Sequence, residues 1–114
     1  GLGGKGAPLT AFAGRQGGNP SVHWNSYLGK RIMVYGGWDQ DAYISASDDL
    51  IHWATPRLLV ASDQPDGRAW YPTILGESGD ALAGRAARLY YADIAAGYAS
   101  RKFYGRSIVF TRYD

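Results

Sequence analysis

A strand-like pattern starts twice in this chain, each time at an Xaa-Pro step. Asn19-Pro20-Ser21-Val22 opens the first copy and Tyr71-Pro72-Thr73-Ile74 the second, with the prolines 52 residues apart. A period of this size belongs to propellers and solenoids, in which one unit cannot bury its own faces and stacks on its neighbours. Ser21 to Asn25 alternates small or polar with apolar residues, the period of a half-buried strand. Arg31–Tyr35, Ala42–Ala46 and Arg57–Ala61 read as three more strands, separated by turn signals at Leu28-Gly29-Lys30, at residues 36–41 and at residues 47–50. After a polar loop at 62–69 the pattern restarts with Trp70–Leu75, followed by Arg88–Ala92 and Ser107–Thr111. Arg88–Ala92 is matched to Arg31–Tyr35. The 16 Gly and 5 Pro among many aromatics suit short strands and tight turns. No sustained helical stripe occurs, and the Ala-rich stretch 81–87 is broken by Gly84. The expectation is an all-β chain of about two four-stranded antiparallel blades of a β-propeller. Residues 1–18 are a Gly-rich linker or the end of a preceding blade, 19–61 one blade, and 62–114 the following, last blade.

Composition narrows the function. With 114 residues this is one domain at most, and 46% hydrophobic residues suffice for a packed core. No apolar run approaches the ~20 residues of a membrane span, so no membrane partner is expected. The charge is +2 without a Lys/Arg block, which argues against nucleic acid. Zero cysteine excludes a disulfide scaffold and Cys-ligated zinc. With only His23 and His52, on separate turns, no His-based metal site is expected, and no cofactor. Hydrolase elbows, zincin helices, phosphate loops and EF-hands are absent as motifs.

The segment Ser45-Ala46-Ser47-Asp48-Asp49-Leu50-Ile51-His52-Trp53 resembles the S-x-D-L-x-x-W turn of five-bladed propeller glycosidases, the glycoside hydrolase family 43 and furanosidase-type group. The two Xaa-Pro strand starts resemble that group's D-P-x-V, and Gly29–Tyr35 its second strand. The similarity covers roughly residues 19–111. It implies hydrolysis of arabinose- or xylose-type glycosidic bonds in a polysaccharide or oligosaccharide, and a secreted or periplasmic location. It also implies a geometry. Asn19 and residues 36–41, 61–71 and 93–101 would share the substrate rim, with the turn at 47–53 at the opposite end. The chain begins Gly1-Leu2-Gly3-Gly4 without a signal-peptide pattern and is expected to be the C-terminal part of a larger propeller, partnered by the missing blades or by other copies of itself. The alternative is a non-catalytic carbohydrate-binding or self-assembling propeller.

Ordinary glycoside hydrolysis needs two carboxyl groups. The group's catalytic Asp precedes Pro at a strand start, where this chain has Asn19 and Tyr71. Neither can act as a carboxylate base, so the catalytic residues are either on upstream blades or missing altogether, and the isolated chain is expected to be inactive. Glu77, the single Glu, falls in a turn at the far end. Asn19 can hydrogen-bond a sugar hydroxyl or shape the turn before Pro20. His23 shares a face with Ser21 and Asn25 and either contacts substrate or is a hydrogen-bonded core histidine, while Trp24 on the other face reads as core between blades. Trp38, Trp70 and Tyr71 are the candidates for stacking on a sugar ring, with packing as the ordinary alternative. Asp39 is placed with the substrate-binding set. Asp41, Asp63, Asp66 and Asp93 also fall near rim loops, where each is either a tuning carboxylate or an ordinary loop Asp. Arg68 could hold an acidic sugar, and Asp48 and Asp49 are assigned to the turn.

Overall fold

The computed structural model describes residues 15–61, 69–77, 82–93 and 102–112. These residues are all-β and contain no helix. In chain order the strands are β1 (Gly17–Asn25), β2 (Lys30–Gly37), β3 (Ala42–Ser47), β4 (Arg57–Val60), β5 (Ala69–Gly76), β6 (Leu82–Ala83), β7 (Ala86–Asp93) and β8 (Lys102–Val109). They form two sheets, ordered β4-β3-β2-β1-β6 and β5-β7-β8. Within each sheet the pairing is antiparallel, except that the two-residue β6 runs parallel to β1.

Alternation explains the layers. In β2, Ile32 and Val34 face one side and Met33 and Tyr35 the other, and all four are 5% exposed or less. A strand buried on both faces needs apolar residues at every position, which is what Ile-Met-Val-Tyr supplies. Ile32 and Val34 join Ile74, Ala87, Leu89 and Tyr91 in a core between the two sheets. Met33, Tyr35, Tyr43 and Trp53 form a second cluster on the opposite face of the first sheet.

Turn chemistry sets the register. The β1–β2 turn is closed by the Leu28 and Gly29 amides, which donate to the Asn25 side chain and carbonyl at 2.9 and 2.8 Å, and Gly29 takes the positive φ of 66° that such a turn favours. After β3, Asp49 accepts hydrogen bonds from the Ile51 and His52 amides at 2.8 Å each and from the His52 ring at 2.7 Å. These bonds, that of the His52 ring first, hold its carboxyl well below the usual carboxylate range. Trp53 then tucks back, its indole N–H donating to the Leu50 carbonyl at 3.2 Å.

The sequence repeat is also a structural repeat. Asn19 and Tyr71 have nearly the same left-handed φ, 54° and 53°. Each sits inside a bulge, one between Gly18 and Ser21 and the other between Trp70 and Thr73. Across the gap between strands, the Ser21 and Thr73 hydroxyls hydrogen-bond at 2.9 Å. In the pairing, Ser21 lies opposite Val34 and Thr73 opposite Tyr90. Tyr90 is therefore the counterpart of Val34, and Tyr91 that of Tyr35. The stacked ring pairs agree: Tyr35 on Tyr43 at 5.6 Å, Tyr91 on Tyr104 at 5.7 Å. One consequence is a direction of stacking. The Ile32/Val34 face of the first sheet packs on the Leu89/Tyr91 face of the second, and the latter corresponds to the first sheet's opposite face, that of Met33 and Tyr35. Like faces do not meet. The sheets stack head to tail, the relation that builds rings or open arrays.

Four expectations are corrected. The second sheet has three strands among the described residues, where a four-stranded blade was expected. Its last strand starts at Lys102, not Ser107, because Phe103 and Tyr104 pair with Ala92 and Tyr91 across the hairpin. The match of Arg88–Ala92 to Arg31–Tyr35 is shifted by one residue, since the offset is fixed by pairing, Val34 opposite Ser21 and Tyr90 opposite Thr73, and not by the hydropathy pattern. Trp24 belongs to neither cluster; it is half-buried under the Arg31 guanidinium, 4.5 Å from its ring.

Candidate functional site

The antiparallel pairings place the starts of β1 and β5 and the β2–β3 loop at one end of the sheets. The β1–β2 turn, the 47–53 turn and Glu77, at the end of β5, lie at the other. At the first end the two repeat-equivalent residues, Asn19 and Tyr71, line one cleft with Gly36, Gly37, Trp38, Gln40 and Trp70. The cleft is small, a cavity of about 30 Å³.

Each wall has a local cause. Trp70 donates its indole N–H to the Gln40 side-chain oxygen at 3.0 Å, which ties the start of β5 to the β2–β3 loop. Tyr71 meets Trp70 edge-on, with ring centroids 5.9 Å apart. The loop is shaped by the Gly37 amide, which donates to the Asp41 carbonyl at 2.7 Å, and by Gln40, whose φ is 76°. A side chain at Gly37 would collide with the Asp39 carboxylate and the Tyr43 ring, at 2.5 and 2.6 Å from its Cβ. Trp38 remains 73% exposed. Its backbone amide is held by the Gln16 carbonyl at 3.0 Å, and its ring lies against Gly18, where an added Cβ would come within 3.2 Å.

Asn19 and Tyr71 hold a conformation that non-glycine residues seldom adopt, and most rarely a bulky one such as Tyr. Backbone outliers of this kind concentrate at functional sites, at a cost of about 1–3 kcal/mol each. Here both lie on the same cleft. The described lining contains aromatic faces, an Asn and a Gln side chain and glycine backbone, and no carboxylate. Such a surface can bind a ligand that has both an apolar face and hydroxyl groups.

The cleft thus gathers Asn19, Trp38, Trp70 and Tyr71 from the predicted binding set. Asp39 lies beside it, with one carboxylate oxygen accepting from the Asp41 amide at 3.0 Å and the other from the Tyr43 hydroxyl. That hydrogen bond, with burial added, pushes the Tyr43 hydroxyl up to about 12. Gln40 fell within the 36–41 rim segment but was not singled out as a binding residue; a neutral loop amide carries no signal of its own until Trp70 is seen to reach it. Asp63, Asp66 and Arg68 lie outside the described residues. Asp93 is buried at the end of β7.

His23 is elsewhere. It is 6% exposed on the inner face of β1, 6.4 Å from the Phe110 ring, and neither ring nitrogen has a hydrogen-bond partner among the described residues. Burial alone lowers its pKa from the ordinary 6.5. The native state therefore holds the neutral ring, whereas the unfolded chain gains a proton below pH 6.5. Stability is whole above that pH and falls as the pH drops through it, by at most about 1.4 kcal/mol per pH unit. His23→Leu should flatten this limb between pH 7 and 5 in urea unfolding; an unchanged slope in the variant would place its cause elsewhere.

Compared with known proteins, the chain matches no family model, no curated protein and no solved structure.

Proposed function

We propose that the cleft is the sugar-binding rim of a β-propeller that acts on arabinose- or xylose-type glycosidic bonds, with the catalytic acid and base supplied by blades outside this stretch. The observation that carries the reading is the convergence of two repeat-equivalent strand starts, Asn19 and Tyr71, on one cleft walled by Trp38 and Trp70. Head-to-tail stacking of the two sheets supports the propeller, since a ring is what such stacking makes when its rotation closes. The resemblance of the Ser45–Trp53 turn and of the two Xaa-Pro strand starts supports the substrate class.

In this reading a pentose ring lays its C–H face on the exposed Trp38 indole, while the Asn19 amide and neighbouring backbone groups take its hydroxyls. Removing water from such an aromatic–polar surface gives orientation as well as affinity. The absence of a carboxylate among the described lining residues favours one second reading, a propeller that binds carbohydrate without cleaving it.

Tryptophan fluorescence of the chain, titrated with arabino- and xylo-oligosaccharides, tests the binding. A saturable change for pentose oligomers and none for maltose supports the proposal; no change with either up to 10 mM (about −2.7 kcal/mol of binding free energy) refutes it. Release of free pentose by a protein that carries the upstream blades separates the hydrolase from the binding module.

A further inference from the structure

Gln40 sits where the backbone favours glycine. Its amide donates to the Gly37 carbonyl at 3.0 Å, and the Gly37 amide donates to the Asp41 carbonyl at 2.7 Å. These bonds close the loop around residues 38–40, whose last residue, Gln40, has a φ of 76°. Short hairpin loops place a left-handed residue at this point, and glycine fills it without strain. On the other side the Asp41 amide is held by the Asp39 carboxylate at 3.0 Å. The direction of the Gln40 side chain is thus built into the loop. It reaches from the first sheet to the second, where its Oε1 accepts the Trp70 indole N–H at 3.0 Å.

The same bond fixes which way the amide faces. An indole N–H only donates, so its partner is the amide oxygen and not the nitrogen. The other arm of the amide is then Nε2, which has two N–H donors and no acceptor, on a half-buried residue that lines the cleft. Asn19, in the same lining, brings both an acceptor oxygen and N–H donors. A hydroxyl donates and accepts, and suits Asn19. An ether oxygen only accepts, and suits a group that only donates. We infer that Gln40 is a specificity-determining residue of the cleft: latched to Trp70 through its oxygen, it donates through Nε2 to the ring or glycosidic oxygen of a bound sugar. The inference rests on reading the cleft as a sugar-binding rim and gives that rim a direction of hydrogen bonding. A ligand without an acceptor at this place leaves the donors unpaired, which costs affinity.

Two variants separate the latch from the donor. Gln40→Glu keeps an oxygen for the indole N–H but turns the donor into an acceptor, whereas Gln40→Leu removes both. The Glu variant is expected to hold the Trp70 indole proton near its parent NMR position, and the Leu variant to move it upfield as the hydrogen bond is lost. Both should bind xylo- or arabino-oligosaccharides about tenfold more weakly or worse, the loss that an unpaired polar group brings. In the labelled parent chain, saturating sugar should shift the Gln40 side-chain NH2 signals along the same curve as the Trp38 indole. That titration decides the matter even where a variant folds poorly. A Gln40→Glu chain that binds as tightly as the parent, Gln40 NH2 signals that stay fixed while the Trp38 indole moves, or a Trp70 indole position unchanged by Gln40→Leu would each overturn the inference and leave sugar binding standing. A parent chain whose Trp38 indole answers no pentose oligomer overturns the sugar-binding reading itself, and this inference with it.

Discussion

Leu89→Ala is expected to lower the unfolding free energy by about 3 kcal/mol, within the ~2–5 kcal/mol seen when a buried Leu is truncated to Ala. Leu89 is 1% exposed and lies in the core where the second sheet meets Ile32 and Val34 of the first. Truncation loses the transfer free energy of the removed methine and two methyl carbons and leaves a cavity that two sheets, each fixed by its own ladders, cannot collapse to fill. A domain of this size has about 5–15 kcal/mol in total, so the variant should unfold at a clearly lower urea midpoint. Val22→Ala is the control: at 48% exposure it should change stability by no more than about 0.5 kcal/mol. A Leu89→Ala loss as small as the control's would mean that the sheets do not share a core.

The second large effect falls on binding. Trp38→Ala is expected to weaken affinity for pentose oligosaccharides at least tenfold, or about 1.4 kcal/mol, while thermal stability stays near that of the parent chain. The two effects separate because of where the ring sits. At 73% exposure Trp38 contributes little to folding, but it is the broadest open apolar surface in the cleft, and aromatic side chains dominate recognition of this kind. Trp70 would not separate so cleanly, since its indole also anchors Gln40. If Trp38→Ala binds as well as the parent, the sugar does not rest on that ring.

Much of the fold could be read from sequence, because alternation and turn residues act locally. Val34 between Met33 and Tyr35, Gly29 after the Asn25 turn, and the Ser47–Trp53 turn each declare their structure within a few residues. What the sequence hid was non-local. The one-residue offset between the two copies is fixed by pairing, Val34 opposite Ser21 and Tyr90 opposite Thr73, and hydropathy carries no record of which residues pair. The three strands of the second sheet were legible, but the early start of the last one was not, because pairing with β7 and not strand-like composition brings Lys102–Arg106 into it. At the site, Trp38, Trp70, Tyr71 and Asn19 were visible as aromatic or Xaa-Pro positions near predicted rim loops. His23 was ambiguous from sequence, since a polar residue on an alternating face reads alike whether that face meets a channel or a neighbouring sheet. Phe110, from the far end of the chain, decided it by packing within 6.4 Å of the ring.

The most direct measurement is a two-dimensional amide and indole NMR titration of the labelled chain with a xylo- or arabino-oligosaccharide. Binding at the cleft predicts that the Trp38 and Trp70 indole signals and the Asn19 and Tyr71 amides move together along one saturation curve, while Glu77 and the 47–53 turn stay in place. Shifts centred on the 47–53 end, or no shifts at all at millimolar sugar, would contradict it.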